Sequence, residues 1–388
     1  MVLIILALLL ATGSRPARGS TILYEVTGLG TLGGVESTAF AINDSGAAAG
    51  RSKLPSNRDA AFVASGGVMS NPGLLPGASE SSARGINNTG QVVGTSYRNG
   101  RARATLWDGG ETVDLGDLGG GDSYATGINN SGQIVGGAAT AGGQGHAFLY
   151  DGGTFTDVGA EWPGGWSAAY GVNDAGAVAG YGELAPGVFR GFLWDEEAGI
   201  TTLGTLGGAS SYAFDINDSG QVVGHASLPN GYLHAFFYNG GVMTDLGTLG
   251  GGSSFAYGVN DAGDVVGYSW WDGGPHTRAF LWSNGFMTDL NELLLDGANW
   301  ELLEAYAINN AGQIVGAGIH GGQRMAFRLD PVPAIDDPPP ALPATLSLDT
   351  ISQDIPLAHN PEPNTAVMVI SGLALITAGF LRRRRNSP

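Results

Sequence analysis

The fold of this chain is decided by the stretch Ile216-Asn217-Asp218-Ser219-Gly220-Gln221-Val222-Val223-Gly224, one of seven copies of a nine-residue motif. Every copy has Ile or Val before the Asn, Asp or Asn after it, and Gly residues three and seven positions past the Asn. The Asn residues lie 42 to 49 positions apart, at 43, 87, 129, 173, 217, 260 and 309. This period is typical of propeller and solenoid repeats.

The motif predicts a tight β-hairpin. An Asn can bond its own backbone at the start of a type I turn, and a Gly three residues later can adopt the left-handed conformation that closes it. β-branched residues on both sides, such as Ile216 and Val222, favour strands. On this interpretation the Asn and Gly serve to turn the chain, and any specificity belongs to the longer, less regular loops.

The remainder of each repeat supplies two more strands. In the fifth copy we predict strands over Ser211–Ile216, Gln221–Ala226, His234–Tyr238 and Val242–Leu246. Four short antiparallel strands in each repeat of 40 to 45 residues are typical of a β-propeller blade.

The ends of the repeat series favour a closed ring. The last copy predicts strands over Leu303–Ile308, Gln313–Ala317 and Met325–Leu329 and then lacks a fourth, whereas Val26–Gly34 resembles the fourth strand at Met243–Gly251 and has no strands before it. An N-terminal strand that completes the last blade would leave no open edge. We therefore predict an all-β, seven-bladed β-propeller over residues 21–330.

Composition limits the possible functions. The chain is 43% hydrophobic and only 13% charged, the reverse of a disordered chain, so its 67 glycines are attributed to turns. The net charge of −18 disfavours nucleic-acid binding. The absence of cysteine from the sequence excludes disulfides, thiolate metal sites and Cys nucleophiles.

The segments outside the propeller predict export. A short apolar run at Val2–Leu10 resembles a secretory signal, and Thr365–Leu381 is long enough to span a membrane, with Arg382–Arg385 on the cytoplasmic side. The predicted order is a signal peptide over 1–20, the propeller over 21–330, a Pro-rich linker over 331–360, and a sorting signal with a C-terminal transmembrane helix over 361–385.

The C-terminal segment resembles the PEP-CTERM sorting signals of Gram-negative bacteria. The resemblance rests on Pro361-Glu362-Pro363, the apolar span, and the terminal Arg382, Arg383, Arg384 and Arg385. It implies that an exosortase-type membrane transpeptidase recognises the signal, cuts near Pro361–Pro363, and releases the protein toward the cell surface or a polysaccharide matrix. The alternative is a simple membrane anchor.

The repeats resemble the HAF family of extracellular repeats, named for a His-Ala-Phe triplet. That triplet occurs as His146-Ala147-Phe148 and His234-Ala235-Phe236, whereas other copies depart from it, for example Arg278-Ala279-Phe280 and Met325-Ala326-Phe327. The family implies an exported protein without a defined activity.

No motif in the sequence indicates a catalytic or metal site. The Asn turns offer fewer oxygen ligands than a calcium loop, and Asp114, Asp157, Asp245 and Asp289 are interpreted as solvated charges at outer blade edges. The histidines are scattered; His225 and His234 face across a predicted hairpin but have no evident third ligand. Trp107, Trp194 and Trp282 are predicted to pack in the blades. The loop residues Trp162, Trp166, Trp270, Trp271 and Trp300 are the best candidates for stacking on sugars.

We therefore expect an exported surface or extracellular-matrix protein that acts as a non-catalytic interaction or scaffold propeller and needs no cofactor. Its expected partners are the exosortase-type transpeptidase, the membrane through the C-terminal helix, and an extracellular polysaccharide. The alternative is an extracellular carbohydrate-binding or carbohydrate-active propeller enzyme, whose site would break the repeat symmetry with acids or His converging at the inner strand ends.

Replacing Pro361, Glu362 and Pro363 with Ala should leave an uncleaved protein in the inner membrane, because the transpeptidase would no longer recognise its signal. Immunoblots of membrane and released fractions would measure this, with alanines at Pro338, Pro339 and Pro340 of the linker as the matched control. Normal release of the first variant would refute the sorting assignment.

Overall fold

Each repeat folds into one four-stranded antiparallel sheet in the computed structural model, which describes residues 22–296 and 299–332. The first strands of neighbouring sheets contact one another in sequence, and the first blade contacts the seventh. The sheets are therefore seven blades around a central channel, and the predicted all-β, seven-bladed propeller is confirmed.

In blades 1 to 6 the strands follow chain order from the channel outward, and all four strands predicted in the fifth repeat have bounds within one residue of those observed. The strands are, in blade 1, β2 (Ser37–Ile42), β3 (Ala48–Lys53), β4 (Asp59–Ser65) and β5 (Val68–Ser70); in blade 2, β6 (Ala78–Ile86), β7 (Val92–Arg98), β8 (Arg101–Asp108) and β9 (Glu111–Gly116); in blade 3, β10 (Gly119–Ile128), β11 (Ile134–Thr140), β12 (Gly145–Asp151) and β13 (Thr154–Asp157); in blade 4, β14 (Ser167–Val172), β15 (Val178–Ala185), β16 (Val188–Asp195) and β17 (Gly199–Thr202); in blade 5, β18 (Ser211–Ile216), β19 (Val222–Ser227), β20 (Leu233–Asn239) and β21 (Val242–Asp245); in blade 6, β22 (Gly250–Val259), β23 (Val265–Trp271), β24 (Thr277–Ser283) and β25 (Phe286–Asp289); and in blade 7, β26 (Trp300–Ile308), β27 (Ile314–His320), β28 (Gln323–Val332) and the N-terminal β1 (Leu23–Gly30).

The N-terminal strand completes the last blade, as predicted. Strand β1 pairs antiparallel with β28, from Leu23 opposite Val332 to Gly28 opposite Phe327. Tyr24 of β1 is 2% exposed and belongs to the core between blades 6 and 7. The two ends of the repeat region are thus joined by a sheet, which leaves no blade open. Strand β28 also takes in Pro331 and Val332, the first two residues of the segment interpreted as a linker.

The core lies between the blades. Seven clusters of buried side chains each join two neighbouring blades. Phe148 and Phe236 of the His-Ala-Phe triplets are fully buried in them, as are their counterparts in four other blades. The predicted packing of the third-strand tryptophans is confirmed: Trp107, Trp194 and Trp282 pack in three of these clusters.

The alanine of the triplet connects blades through its backbone. The N–H of Ala147 donates to Ser167 Oγ in the next blade at 2.9 Å, and the N–H of Ala235 donates to Ser254 Oγ at the same distance. Four more blades repeat this bond. Ala or Gly occupies this position in all seven blades.

The acids of the fourth strands are not free edge charges, so that interpretation is wrong. Three of them bind the basic side chain at the first triplet position of their own blade, and the fourth, Asp289, accepts a hydrogen bond from the N–H of Asn291 at the start of the 3-10 helix Leu290–Leu293. The pairs are Arg103–Asp114, His146–Asp157 and His234–Asp245, each with a closest N···O distance of 2.9 Å. These carboxylates therefore tie the third strand to the fourth.

The predicted signal peptide, the Pro361–Pro363 motif with Arg382–Arg385, and the C-terminal transmembrane helix all lie outside the described residues. Within the described ranges, no helix has the length and hydrophobicity that a membrane span requires. These assignments stay predictions from the sequence.

The two glycines of the motif have different roles. The first has φ between +74° and +88° in all seven blades, as the predicted turn requires. The second faces the inner strand so closely that a Cβ on Gly224 would collide with the carbonyl oxygen of Tyr212, and the other six blades repeat this contact. A larger residue here would push the first two strands of the blade apart.

The seven motif Asn side chains form a closed ring of hydrogen bonds. Each Nδ2 donates to the backbone carbonyl oxygen of the Asn in the next blade, at 2.8 to 3.4 Å, and Asn309 closes the ring on Asn43. Each Oδ1 accepts from the N–H four residues onward in its own turn, as Asn217 does from Gln221. The Asn turns the chain, as predicted, and also joins the blades, which the sequence interpretation omitted.

Replacing Asn217 with Ala should lower the free energy of unfolding by about 2–4 kcal/mol, because the Asn260 carbonyl and the Gln221 N–H lose a buried partner. Urea unfolding of the full chain in non-ionic detergent would measure it. The control is Asn230→Ala, in which an exposed loop Asn is lost with an expected cost below about 1 kcal/mol. Equal destabilisation by the two variants would contradict the role of the ring.

Candidate binding site in the central channel

A β-bulge lies in the inner strand of every blade, three residues before the motif Asn. In blade 5 the pairing of β18 with β19 passes from Ala213 directly to Asp215, so Phe214 has no partner, and the other six blades show the same shift. A bulge leaves one residue unpaired and re-aims its side chain. The seven bulged residues all line one cavity of about 510 Å³ in the channel.

Five of the bulged residues are aromatic and form a continuous series, which we call the aromatic collar. It comprises Tyr170, Phe214, Tyr257, Tyr306 and Phe40, from blade 4 around to blade 1. Successive ring centroids are 5.0 to 5.3 Å apart, within the range of favourable edge and offset contacts. Burial raises the pKa of Tyr257 and Tyr306, so their hydroxyls stay neutral.

Blades 2 and 3 interrupt the collar with polar side chains. The bulged residues here are Arg84 and Thr126, and Ser82 and Thr95 of blade 2 line the cavity beside them. We call these four residues the polar sector. The guanidinium carbon of Arg84 lies 4.0 Å from the centroid of the Phe40 ring, where the polar sector meets the end of the collar. The cavity therefore has an aromatic wall and a polar, cationic wall.

Asp215 is the acidic exception in the channel wall. The equivalent position is Gly in four blades and Ala in two. Its Oδ1 accepts from the Ile216 N–H at 2.9 Å, and its Oδ2 accepts from the Val259 N–H of the next blade at 3.0 Å. Burial raises the pKa of Asp215 to about 7, because these two bonds only partly offset the lost solvation. The carboxyl is therefore poised between its neutral and charged forms near neutral pH.

The opposite end of the channel carries a second ring of hydrogen bonds. The residue after each motif Asn, an Asp in four blades and an Asn in three, accepts a bond through Oδ1 from its neighbour's backbone N–H, at 2.8 to 3.0 Å. These turns surround a smaller cavity of about 170 Å³. Within residues 22–296 and 299–332, no group of three His, Asp or Glu side chains is arranged to hold a metal ion. Backbone pairing accounts for one oxygen of every side chain at this end.

The histidines are structural or dispersed in the described part of the chain. His225 lies opposite Ala235 and His234 opposite Ala226, so the two imidazoles point to opposite faces of their sheet. His225 packs among aromatic rings, and burial lowers its pKa to about 4. The arrangement across the hairpin that we considered from the sequence does not bring these two side chains together.

Most of the tryptophans assigned to loops are not exposed binding surfaces, so that prediction is largely wrong. Trp162 is 6% exposed, and Trp166 packs against two other aromatic rings. Trp271 ends strand β23 beneath a guanidinium group, and Trp300 begins β26 stacked on an imidazole. Trp270, also in β23, is 44% exposed. The aromatic surface that faces open space in the channel comes from the inner strands instead.

No protein-family model matches the sequence, and a search of curated proteins gave no match. Solved structures do resemble the fold. A puromycin-hydrolysing peptidase of Mycobacterium tuberculosis superposes with a TM-score of 0.51 at 12% identity, over 77% of this chain and 53% of the peptidase. This chain therefore spans about half the length of that protein.

Two further structures resemble the chain at lower TM-scores. The β-propeller domain of the Trilobed protease from Pyrococcus furiosus has a TM-score of 0.49 at 10% identity, over 81% of this chain and 100% of that domain. A gluconolactonase from Xanthomonas campestris has a TM-score of 0.38 at 12% identity, over 80% of this chain and 92% of the enzyme. At such low identities, likeness to these propellers concerns the fold alone.

Asp215 should make folding stability depend on pH. Between pH 4 and 7 the unfolded chain has lost the Asp215 proton, whereas the folded protein retains it, so rising pH favours unfolding. The comparison is with Asp215→Ala, which places here the residue found in blades 1 and 7. Relative to this variant, the free energy of unfolding of the wild type should fall by at most about 4 kcal/mol between pH 4 and 7. Urea unfolding of both proteins at several pH values would measure the difference. The titration of His225 contributes equally to both proteins and therefore cancels.

Glu196→Ala, which removes an exposed acid, is the control and should leave the wild-type pH profile unchanged. A constant difference between wild type and Asp215→Ala from pH 4 to 7 would show that the folded carboxyl titrates normally.

Proposed function

We propose that this chain is an exported surface or matrix protein whose propeller binds an extracellular glycan in the wide part of its channel and does no chemistry on it. The observation that carries the proposal is the aromatic collar. Seven equivalent bulges direct side chains into one cavity, and these side chains are the part of the inner strand that departs from the repeat. The Asn ring only a few residues away is strictly repeated. A channel with a purely structural role would not require varied side chains at the bulges beside an invariant Asn ring.

The chemistry of the collar suits a sugar ring. Aromatic faces pack against the C–H faces of sugars, and hydroxyls can bond the groups at the ring edge. Three of the five collar residues are tyrosines, and the Tyr170 and Tyr306 hydroxyls already bond Tyr181 and Glu304, so these residues offer chiefly their ring faces. Ser82 of the polar sector adds a hydroxyl that has no partner among the described residues. The cavity of about 510 Å³ is within the size range of small-ligand sites.

Asp215 is the observation that favours the enzymatic alternative, because a carboxyl with a pKa near 7 is suited to general acid–base work. Its geometry favours binding over catalysis. Both oxygens already accept backbone hydrogen bonds, and no second acid or His among the described residues bonds to it. A glycosidase of the usual type needs two carboxyl groups on either side of the bond that it cleaves.

The proposal also includes export and sorting, which are supported by the sequence alone. The apolar N-terminal run, Pro361–Pro363 and Arg382–Arg385 support passage through the membrane and processing by an exosortase-type transpeptidase. A net charge of −18 and a ring closed by its N-terminal strand suit a protein that must stay soluble outside the cell. The polysaccharide matrix would then be both its destination and the source of its ligand.

Tyr257→Leu should weaken binding of any glycan by about 10-fold or more, because a collar ring that stacks on the sugar is lost. The full chain in polyoxyethylene detergent would be screened on a glycan array, and the hits measured by isothermal titration calorimetry. The control is Phe286→Leu. This ring is 74% exposed and lies on β25, the outer strand of the same blade. Trp270→Leu tests the alternative that an exposed Trp carries binding.

Loss of binding in Trp270→Leu with normal binding in Tyr257→Leu would contradict the channel site. Binding to no glycan on the array would refute glycan binding itself. Chromatography of each hit after incubation tests catalysis, and release of shorter oligosaccharides would contradict the non-catalytic assignment.

A further inference from the structure

Arg84 is a cation in the channel with no anion to neutralise it. Among the residues that the structure describes, no carboxylate pairs with its guanidinium and no side-chain hydrogen bond involves it. Its contact is with the face of Phe40, at 4.0 Å from the centroid. Seven other described arginines each pair with an Asp or Glu. Arg58 and Arg190 also lack a carboxylate partner among the described residues, but of these three arginines only Arg84 lines the channel cavity.

Arg84 is exposed to the open channel, so its guanidinium is accessible to an incoming ligand. The side chain lies at the bulge of β6 and lines the cavity, where the surrounding protein lowers its pKa. Arg51 of blade 1 is close enough to lower it further. Arg51 does not line the cavity, and it pairs with Asp59 at 3.5 Å. An anion entering the cavity would find the Arg84 donors free.

A buried hydroxyl next to Arg84 also lacks a partner. Ser82 is 8% exposed and lines the same cavity, and its Oγ makes no hydrogen bond. Buried polar groups are normally bonded, and an exception commonly marks a ligand or water position. Ser82 and Arg84 lie two residues apart in sequence, on the same inner strand. Cation and hydroxyl together form a donor set, opposite in character to the aromatic collar.

Two acids of the inner strands, Glu304 and Asp215, do not cancel this donor set. Glu304 pairs with Arg324 and accepts a hydrogen bond from the Tyr306 hydroxyl at 2.9 Å. Asp215 is satisfied by two backbone N–H groups in blade 5, three blades away from Arg84. Neither acid forms an ion pair with Arg84.

We infer that the polar sector binds the carboxylate of an acidic sugar, so that the glycan of this channel contains uronic acid residues. The inference deepens the proposed function and rests on it. A guanidinium pairs with a carboxylate through two parallel hydrogen bonds, and the Ser82 hydroxyl supplies a further donor. The sugar ring that carries the carboxylate then extends over the collar, starting from Phe40. A neutral glycan would leave Arg84 unpaired and would bind more weakly.

The test compares acidic trimers with neutral counterparts of the same shape. The probes are the trimers of galacturonic acid and of mannuronic acid, and the fully methyl-esterified form of each. Calorimetry would be carried out on the full chain in polyoxyethylene detergent with wild type, Arg84→Gln, Arg84→Lys and Tyr257→Leu. Arg58→Gln, which removes an equal charge from an exposed side chain, is the matched control.

Wild type should bind at least one acidic trimer about 10- to 100-fold more tightly than its ester, the range expected for a charge-assisted hydrogen-bonded pair. Arg84→Gln should abolish this preference, so that each acid binds no more tightly than its ester. Arg84→Lys should keep part of it, because the charge remains but the planar pair of donors is lost. Arg58→Gln should behave as wild type.

The inference is overturned if wild type binds each ester as tightly as its acid, if Arg84→Gln keeps the preference, or if no trimer binds. Its failure is distinguishable from failure of the proposed function. If Tyr257→Leu weakens acid and ester equally while Arg84→Gln changes neither, the channel binds glycans without selecting anions. If the protein binds glycans from the array and Tyr257→Leu does not change their affinity, the assignment of the binding site to the channel is wrong.

Discussion

The amide of the motif Asn is the constraint on which the rest of the fold depends. Its Oδ1 holds the turn of its own blade, and its Nδ2 reaches the carbonyl of the next blade, so one side chain sets both the hairpin and the spacing between blades. A hydrogen bond contributes only about 1 kcal/mol net, whereas burial of one Phe contributes about 1.5–3 kcal/mol. The Phe-containing clusters therefore supply most of the stability. The Asn ring determines how the blades are arranged around the channel.

This constraint frees the other end of the inner strand for variation. The bulge three residues before the Asn turns one side chain per blade into the channel, and the second motif Gly admits the bulged backbone by leaving space beside it. The side chain at the bulge takes no part in the hydrogen bonds of the Asn ring. One end of the channel can therefore carry the same Asn in every blade while the other carries Arg84, Asp215 and the aromatic collar. A rigid scaffold beneath a variable surface is a common basis for ligand recognition.

The fold was largely predictable from the sequence because its signal is repeated seven times. The hairpin at Asn217, the four strands of each blade and the closure by Val26–Gly34 all follow from local turn chemistry and from counting. The second role of Asn217 was not predicted, although a clue was present. Asp would also turn the chain but cannot donate, and Ser has a single polar atom, whereas an amide accepts through its oxygen in the turn and donates through its nitrogen to the next blade. Six of the seven amide bonds of the ring join residues 42 to 49 positions apart, and the seventh joins residues 266 apart, which local patterns do not reveal.

The candidate site was predicted less well, and for a physical reason. Strand alternation assigns side chains to faces, and a bulge inserts one residue that breaks the alternation, so Phe214 and Tyr257 would be read as ordinary strand residues. The tryptophans between the predicted strands, which were the expected binding residues, mostly pack against the blades. Alignment of the seven repeats by their Asn would have shown the signal, since the column three residues earlier reads Phe, Arg, Thr, Tyr, Phe, Tyr and Tyr.

The most direct test of this account is a crystal structure of the full chain with a glycan bound. The account predicts the sugar rings on the collar between Phe40 and Tyr257, with the Asn ring unchanged at the opposite end of the channel. A glycan bound at Trp270 or on the outer blade edges, with the channel occupied only by solvent, would contradict it.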